Sequence, residues 1–191
     1  ETRIDVDSKL VLTIPALTDG DPAAGKRVAV TPPEYSGTNV FHTLYLPEQW
    51  ERGGARLPII FEYTGNYFPK SGSTGEPEDA ALGYCLSAGK YIWVSLPYIN
   101  ESGDDNQVTW WGDTQATLDY AKKNVSRIIF AYNAVLIDDW RDSLRADRDR
   151  CVSGRTNLRY FSVDHARNDV DLAVVHRRRG RTFRKRVAIE S

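Results

Sequence analysis

The sequence lacks several features that define common protein classes. Two cysteines in 191 residues are too few for a disulfide framework or a four-ligand zinc site. The sequence does not decide whether Cys85 and Cys151 form one disulfide or are two unrelated thiols. Uncharged apolar runs such as residues 91–99 are far shorter than the ~20 residues of a membrane helix, so we expect no membrane span. Fourteen glycines and nine prolines are too few for a collagen-like or low-complexity chain. These absences leave a globular protein long enough for one domain.

Methionine is absent, even at position 1. This absence indicates a processed product or a fragment, so the sequence leaves open whether a targeting peptide once preceded it. A secreted or periplasmic protein without its signal peptide fits that interpretation, but the composition does not decide the compartment.

Positive charge is scarce in the first part of the chain and abundant at its end. Residues 1–140 carry 11 Lys and Arg against 19 Asp and Glu, whereas residues 141–191 carry 14 against 7. Thirteen of those 14 are Arg, and the apolar residues after 140 follow no clear period. We therefore predict a folded domain at 1–140 and an irregular, Arg-rich tail at 141–191.

Apolar segments with strand and helix periodicity alternate along the first part of the chain. Pro77 suits the first turn of a helix, and Asp113 suits an N-cap. Strand, helix, strand, helix, strand over residues 57–137 is typical of a parallel α/β sheet. Residues 127–134 either extend the second helix or begin a strand. The predicted strands lie at 3–17, 26–30, 40–46, 57–63, 91–96 and 135–137, and the predicted helices at 77–89 and 113–125.

Four of these segments resemble the front half of an α/β-hydrolase, a superfamily of serine esterases and related acyl hydrolases. They are FHTLYLP at 41–47, LPIIFEYTGN at 57–66, YIWVSLPY at 91–98 and DTQATLDYA at 113–121. The resemblance implies that the second segment leads into the loop that donates a backbone N–H to the oxyanion hole. Thr64, Gly65 and Asn66 are the candidates for that loop.

A glycine suits an oxyanion loop, because the backbone amide can approach the oxyanion with no side chain in the way. The family often has His-Gly at this point, whereas this chain has Thr64-Gly65. A glycine that simply ends a strand is the alternative.

The nucleophile that the resemblance implies is missing. It belongs in a G-x-S-x-G elbow after residues 135–137, but no G-x-S-x-G occurs in the 191 residues. Residues 71–75, which include Ser73, are the nearest match and are predicted to be a loop. Of the three histidines, His42 is predicted to be a hydrogen-bonded structural residue, and His165 and His176 lie in the tail. We expect no metal and no cofactor, because no cluster has metal-ligand spacing.

Trp110 and Trp111 lie in a loop at the expected carboxyl edge of the strands, where open α/β sheets bind their ligands. Stacking on a sugar or an acyl group is the functional interpretation. The alternative, which we favour, is that the pair anchors the following helix in the core.

The tail has two interpretations. It is either an arm that binds nucleic acid, an acidic polymer or membrane headgroups, or a sequence foreign to the family that comes from a reading-frame shift, a splice variant or an assembly error. One back-translation of residues 140–146, read in another frame, contains a G-x-S-x-G elbow. The tail has few aromatic residues for base stacking, so we favour the frame-shift interpretation.

These observations predict an α/β fold: an incomplete α/β-hydrolase-like domain with a mostly parallel sheet flanked by helices and antiparallel strands on its N-terminal side. The predicted function is that of a truncated or frame-altered relative of ester- and amide-cleaving serine hydrolases that is itself inactive. The alternative is a non-catalytic binding module, with a carbohydrate or acyl ligand at Trp110 and Trp111 and an anionic partner at the tail. An open edge at 135–137 predicts self-association.

Overall fold

A computed structural model of the chain describes residues 12–111 and 113–136, and the backbone of two further strands at 160–164 and 169–173. The expectations for residues 3–11, Cys151, His165, His176 and most of the tail lie outside the described residues. The described strands are β1 (Leu17–Thr18), β2 (Arg27–Val30), β3 (His42–Tyr45), β4 (Leu57–Glu62), β5 (Ile92–Ser95), β6 (Tyr98–Ile99), β7 (Asn106–Gln107), β8 (Ala134–Leu136), β9 (Tyr160–Asp164) and β10 (Asp169–Ala173). The α-helices are α1 (Leu82–Ser87) and α2 (Thr114–Ala131), and short 3-10 turns cover Pro33–Tyr35, Pro69–Ser71 and Pro77–Asp79.

Six strands form a mixed sheet in the order β1-β2-β3-β5-β4-β8. Strand β4 is parallel to both of its neighbours, β5 and β8, as residues 57–137 predict. Strand β3 is antiparallel to both β2 and β5, which puts the antiparallel part of the sheet on its N-terminal side. The α/β character of the chain is therefore established.

Alternation along the strands gives the sheet two different buried faces. Val28, Leu44, Val94 and Phe61 lie side by side on β2, β3, β5 and β4, and they belong to one buried cluster with apolar side chains of α2. On the opposite face, Tyr45 and Trp93 pack with Ala80 and Tyr84 near α1. Helices thus cover both faces, as strands of this apolar kind require.

Helix α2 begins where the sequence predicts and continues further. The Asp113 carboxylate accepts a hydrogen bond from the Ala116 amide at 2.9 Å, which satisfies one of the free N–H groups at the helix start. The helix runs to Ala131, so the first alternative for residues 127–134 is right for most of that segment. Asn133 has a φ of 50° and turns the chain into β8.

The prediction of one continuous helix at 77–89 is wrong. The segment forms the turn Pro77–Asp79 and then the short helix α1, because Ala81 between them has a non-helical φ of −141°. Packing on the sheet explains the break: Gly83 lies so close to the Trp93 indole that a Cβ at Gly83 would overlap the ring. Long-range packing overrides the local helix signal here.

Two strands are described in the tail that the sequence predicts to be irregular. Strands β9 and β10 pair antiparallel, with Asp164 opposite Asp169. None of the described helices combines the length and the apolar character needed to cross a membrane.

Candidate functional site

The segment formed by Thr64, Gly65 and Asn66, called the 64–66 segment below, lies close to the carboxyl end of β4. Strand β5 runs parallel to β4, so both strands end at the same edge of the sheet. The chain after β5 returns to this edge at Trp110, where the main-chain N–H donates to the Asn66 side-chain oxygen at 2.9 Å. The structure therefore brings together the two groups of site residues that the sequence singles out.

Hydrogen bonds hold the 64–66 segment on both sides. The Thr64 hydroxyl donates to the Gly75 carbonyl at 2.8 Å, and the Ser73 hydroxyl donates to the Gly65 carbonyl at 2.8 Å. From the other side, the Tyr98 hydroxyl donates to the Thr64 carbonyl at 2.6 Å. Two of these bonds use the Thr64 and Gly65 carbonyl groups and fix the direction of their peptide planes.

Gly75 allows the loop to close. Its φ of +83° lies in the left-handed region, and a Cβ at this position would overlap the Val108 backbone. The Tyr67 amide donates to the Val108 carbonyl at 2.7 Å in the same region. Only glycine therefore fits where the two loops of the site meet.

The Thr64 and Gly65 carbonyl groups accept hydrogen bonds, whereas the next two main-chain N–H groups do not find an acceptor in the described part of the chain. Gly65 is buried, yet within residues 12–111 and 113–136 no group accepts a hydrogen bond from the Gly65 or the Asn66 main-chain N–H. Buried N–H groups in native proteins are almost always paired. Two adjacent N–H groups without an internal acceptor form a place where a carbonyl or carboxylate oxygen can be held.

The two tryptophans have different environments. The Trp110 ring lies edge-on to Tyr63 and Tyr98, with ring centroids 6.0 and 5.7 Å apart, and those two tyrosines stack on each other at 5.3 Å. Trp111 is 78% exposed. The core-anchor interpretation fits Trp110, whereas Trp111 presents its ring to solvent.

His42 does not supply a catalytic base for this site. Its Nδ1 is hydrogen-bonded to the Tyr120 hydroxyl at 2.7 Å, and burial lowers its pKa to about 4. The prediction of a hydrogen-bonded structural histidine is therefore confirmed. No hydrogen bond joins it to a serine in the described part of the chain.

A buried charged cluster lies on the α1 face of the sheet, close to the candidate site in sequence. Burial raises the pKa of Glu62 to about 7, against the opposing effect of the Gly83 amide, which donates to its carboxylate. The Arg27 guanidinium lies 4.4 Å from the centre of the Trp93 ring and donates to the Pro77 carbonyl at 3.1 Å. Burial also lowers the pKa of Arg27.

Sequence reasoning missed three contributors to this region. Glu62 stands out only as one charge within the apolar run 57–63, and that signal is visible in the sequence. Tyr67, directly after Asn66, is 54% exposed, and an aromatic residue in a polar loop gives a weaker signal. The contact of Ser73 with Gly65 has no local sequence signal.

The described residues contain no group of three or more His, Cys, Asp or Glu side chains placed to hold a metal ion. Comparisons of the chain with protein-family models, curated proteins and solved structures found no match.

Proposed function

We propose that this chain is an α/β-hydrolase-like domain whose 64–66 segment binds the oxygen of a carbonyl or carboxylate group without catalysing hydrolysis. The observation that carries the proposal is the pair of main-chain N–H groups of Gly65 and Asn66, which have no acceptor among the described residues. Such N–H groups are the usual donors of an oxyanion hole.

The arrangement of the sheet supports the proposal. Strand β8, which the resemblance places before the nucleophile, is parallel to β4 and paired with it. The carboxyl ends of β4 and β8 therefore point to one edge, as a site built from an oxyanion loop and the turn after β8 requires.

The absence of a nucleophile is part of the proposal. The chain has no G-x-S-x-G motif, and the Ser73 hydroxyl donates to the Gly65 carbonyl. A serine activated for attack donates instead to a general base. The N–H groups would stabilise a bound oxygen, but no described group would attack the carbonyl carbon.

A titration with butyrate, a small carboxylate, followed by amide proton and nitrogen chemical shifts, tests the proposal. We expect the Gly65 and Asn66 signals to move together and to saturate, because the carboxylate accepts from both N–H groups. The Gly53 signal is the control, since that residue lies in an open turn. Unchanged Gly65 and Asn66 signals at a saturating concentration would rule out the proposed ligand site.

One observation favours a second candidate, a non-catalytic module that binds carbohydrate. Trp111 is 78% exposed, as are Tyr67 and Phe68 by more than half in the neighbouring loop, and a group of exposed apolar rings marks an interaction site. The two candidates share one edge of the sheet and differ in the ligand.

A further inference from the structure

We infer that the exposed rings of Tyr67 and Trp111, with the free amide groups of Asn66 and Gly65 beside them, form a binding platform for a neutral saccharide. The inference deepens the second candidate function, the carbohydrate-binding module, and rests on it, because it names the residues and the ligand class of that module. Hereafter these four residues are called the aromatic platform.

Exposed aromatic rings are concentrated at this edge. Four large apolar side chains are exposed among the described residues, and three of them, Tyr67, Phe68 and Trp111, lie in the two loops that meet there. The fourth, Phe130, lies near the other end of α2, ~24 Å along the helix from its first residue at 1.5 Å per residue. The concentration is therefore a local property of the site.

The backbone beneath both rings is fixed before any ligand binds. The Tyr67 amide is bonded to the Val108 carbonyl, and Trp111 follows Trp110, whose amide is bonded to Asn66 and whose ring packs on Tyr63. A fixed backbone lowers the entropy lost when a ligand orders the two side chains.

The chemistry of the platform favours a neutral, hydroxyl-rich ligand. Residues 63–68 and 107–111 contain no charged side chain, so these segments supply no opposite side-chain charge for a phosphate or an ammonium group. The Asn66 Nδ2 has no acceptor among the described residues and can donate to a hydroxyl, as can the Gly65 N–H. Sugars present an apolar face that can stack on an aromatic ring, and hydroxyl groups at their edges that can accept hydrogen bonds. The apolar face matches the two rings of the platform, and the hydroxyl groups match its two N–H donors.

A nucleic acid would need a different surface. Single-stranded nucleic acids are bound by aromatic rings placed in a positively charged groove, and the two segments supply the rings without the charge. A purely apolar ligand would leave the Asn66 and Gly65 donors without acceptors, which is costly. The saccharide is therefore the ligand that uses every part of the platform.

Titration calorimetry of the full chain with cellohexaose, xylohexaose and mannohexaose tests the inference. We expect at least one of the three to bind when the titration reaches about 5 mM, which detects Kd values into the millimolar range. Trp111→Ala should lower the affinity at least fivefold, and Tyr67→Ala should lower it by a smaller factor. Phe130→Ala, which removes an even more exposed ring elsewhere, should change it less than twofold.

Three results would overturn the inference: no binding of any of the three probes, equal affinities for the Trp111→Ala variant and the unmodified chain, or tighter binding of heparin than of the saccharides. A saccharide affinity that falls steeply with added salt would contradict it as well, since a neutral ligand releases no counterions. The butyrate titration, repeated on Trp111→Ala, separates the two proposals. Retained Gly65 and Asn66 shifts with no saccharide binding would reject the platform and leave the proposed function intact.

Discussion

The face of the central sheet that packs against α2 differs from the face near α1 in what it buries. The α2 face is a continuous row of apolar side chains, from Val28 through Leu44 and Val94 to Phe61. The α1 face buries Arg27 and Glu62 beside Trp93. The first face is stabilised by area removed from water, whereas the second depends on hydrogen bonds and opposite charges that compensate for lost hydration.

The charged α1 face also positions the end of β4, the strand that leads into the candidate site. Glu62 is two residues before Thr64, and its carboxylate accepts from the Gly83 amide at the start of α1. The main-chain carbonyl of Glu62 accepts from the Leu96 amide beyond β5. The charged face thus fixes the end of β4, from which the 64–66 segment projects.

The largest expected effect comes from removing the positive charge of the α1 face. At pH 8, where most of Glu62 is ionised, Arg27→Met leaves the buried Glu62 carboxylate and the partly buried Glu78 without the guanidinium, and removing one partner of a buried charge cluster costs about 3–5 kcal/mol. Urea unfolding followed by tryptophan fluorescence measures the loss.

The double variant Arg27→Met with Glu62→Gln is the matched control. It removes both opposite charges at once and should recover part of the stability lost in the single variant. Equal stability of Arg27→Met and the unmodified chain would show that the charges of this face do not contribute to the fold.

A smaller effect is expected from adding one methyl group beneath Trp93. Gly83→Ala places a Cβ inside the indole ring volume, and the ring and α1 must shift to accommodate it. Overpacking of this kind costs about 1–3 kcal/mol. Gly53→Ala is the comparison variant for size: its Cβ meets open space, although its φ of +75° adds strain. If Gly83→Ala unfolds at the same urea concentration as the unmodified chain, the close packing of α1 on Trp93 is wrong.

The smallest effect is a pH dependence confined to the α1 face. The pKa of Glu62 is about 7 in the fold, above the ordinary value of 4.5, because burial penalises the charged carboxylate. A group with a raised pKa stabilises the fold most when protonated, so its contribution to the free energy of unfolding is complete below about pH 4.5 and is lost as the pH rises through about 7.

The contribution of Glu62 is isolated by subtraction. The difference in the free energy of unfolding between the unmodified chain and Glu62→Gln should decrease from pH 5 to pH 8, as measured by urea unfolding at about five pH values. Leu44→Ala on the α2 face should lower stability by about 3 kcal/mol with no such pH dependence. A Glu62→Gln difference that stays constant with pH would refute the raised pKa.

Local sequence signals predicted the elements whose stability is decided locally or by simple periodicity. The sequence predicts the Asp113 cap, the helix that it begins and the apolar strands around Ile59 and Val94. These features depend on the spacing of apolar residues and on capping groups that are close together in the sequence. The helix at 77–89 failed because its break depends on Trp93, which is ten residues from Gly83. Contacts between residues on different elements cannot be predicted from the pattern of apolar and polar residues within one segment.

The candidate site was predicted to the same extent. The resemblance singled out Thr64, Gly65 and Asn66, and the α/β pattern placed the two tryptophans at the carboxyl edge of the strands, where the structure brings both groups together. The separate roles of Trp110 and Trp111 did not follow, because the hydrogen bond from Trp110 to Asn66 spans 44 residues. That bond and the rings of Tyr63 and Tyr98 decide that Trp110 is partly buried and Trp111 exposed.

The claim that the site holds a ligand oxygen without attacking the carbonyl carbon is tested most directly by intact-mass measurement after incubation with a fluorophosphonate. This reagent forms a stable bond with an activated serine, so the account predicts an unchanged mass and no hydrolysis of p-nitrophenyl esters above background. A stoichiometric adduct on a single serine, whether Ser73 or Ser143, would show that the chain has a nucleophile and would contradict the account.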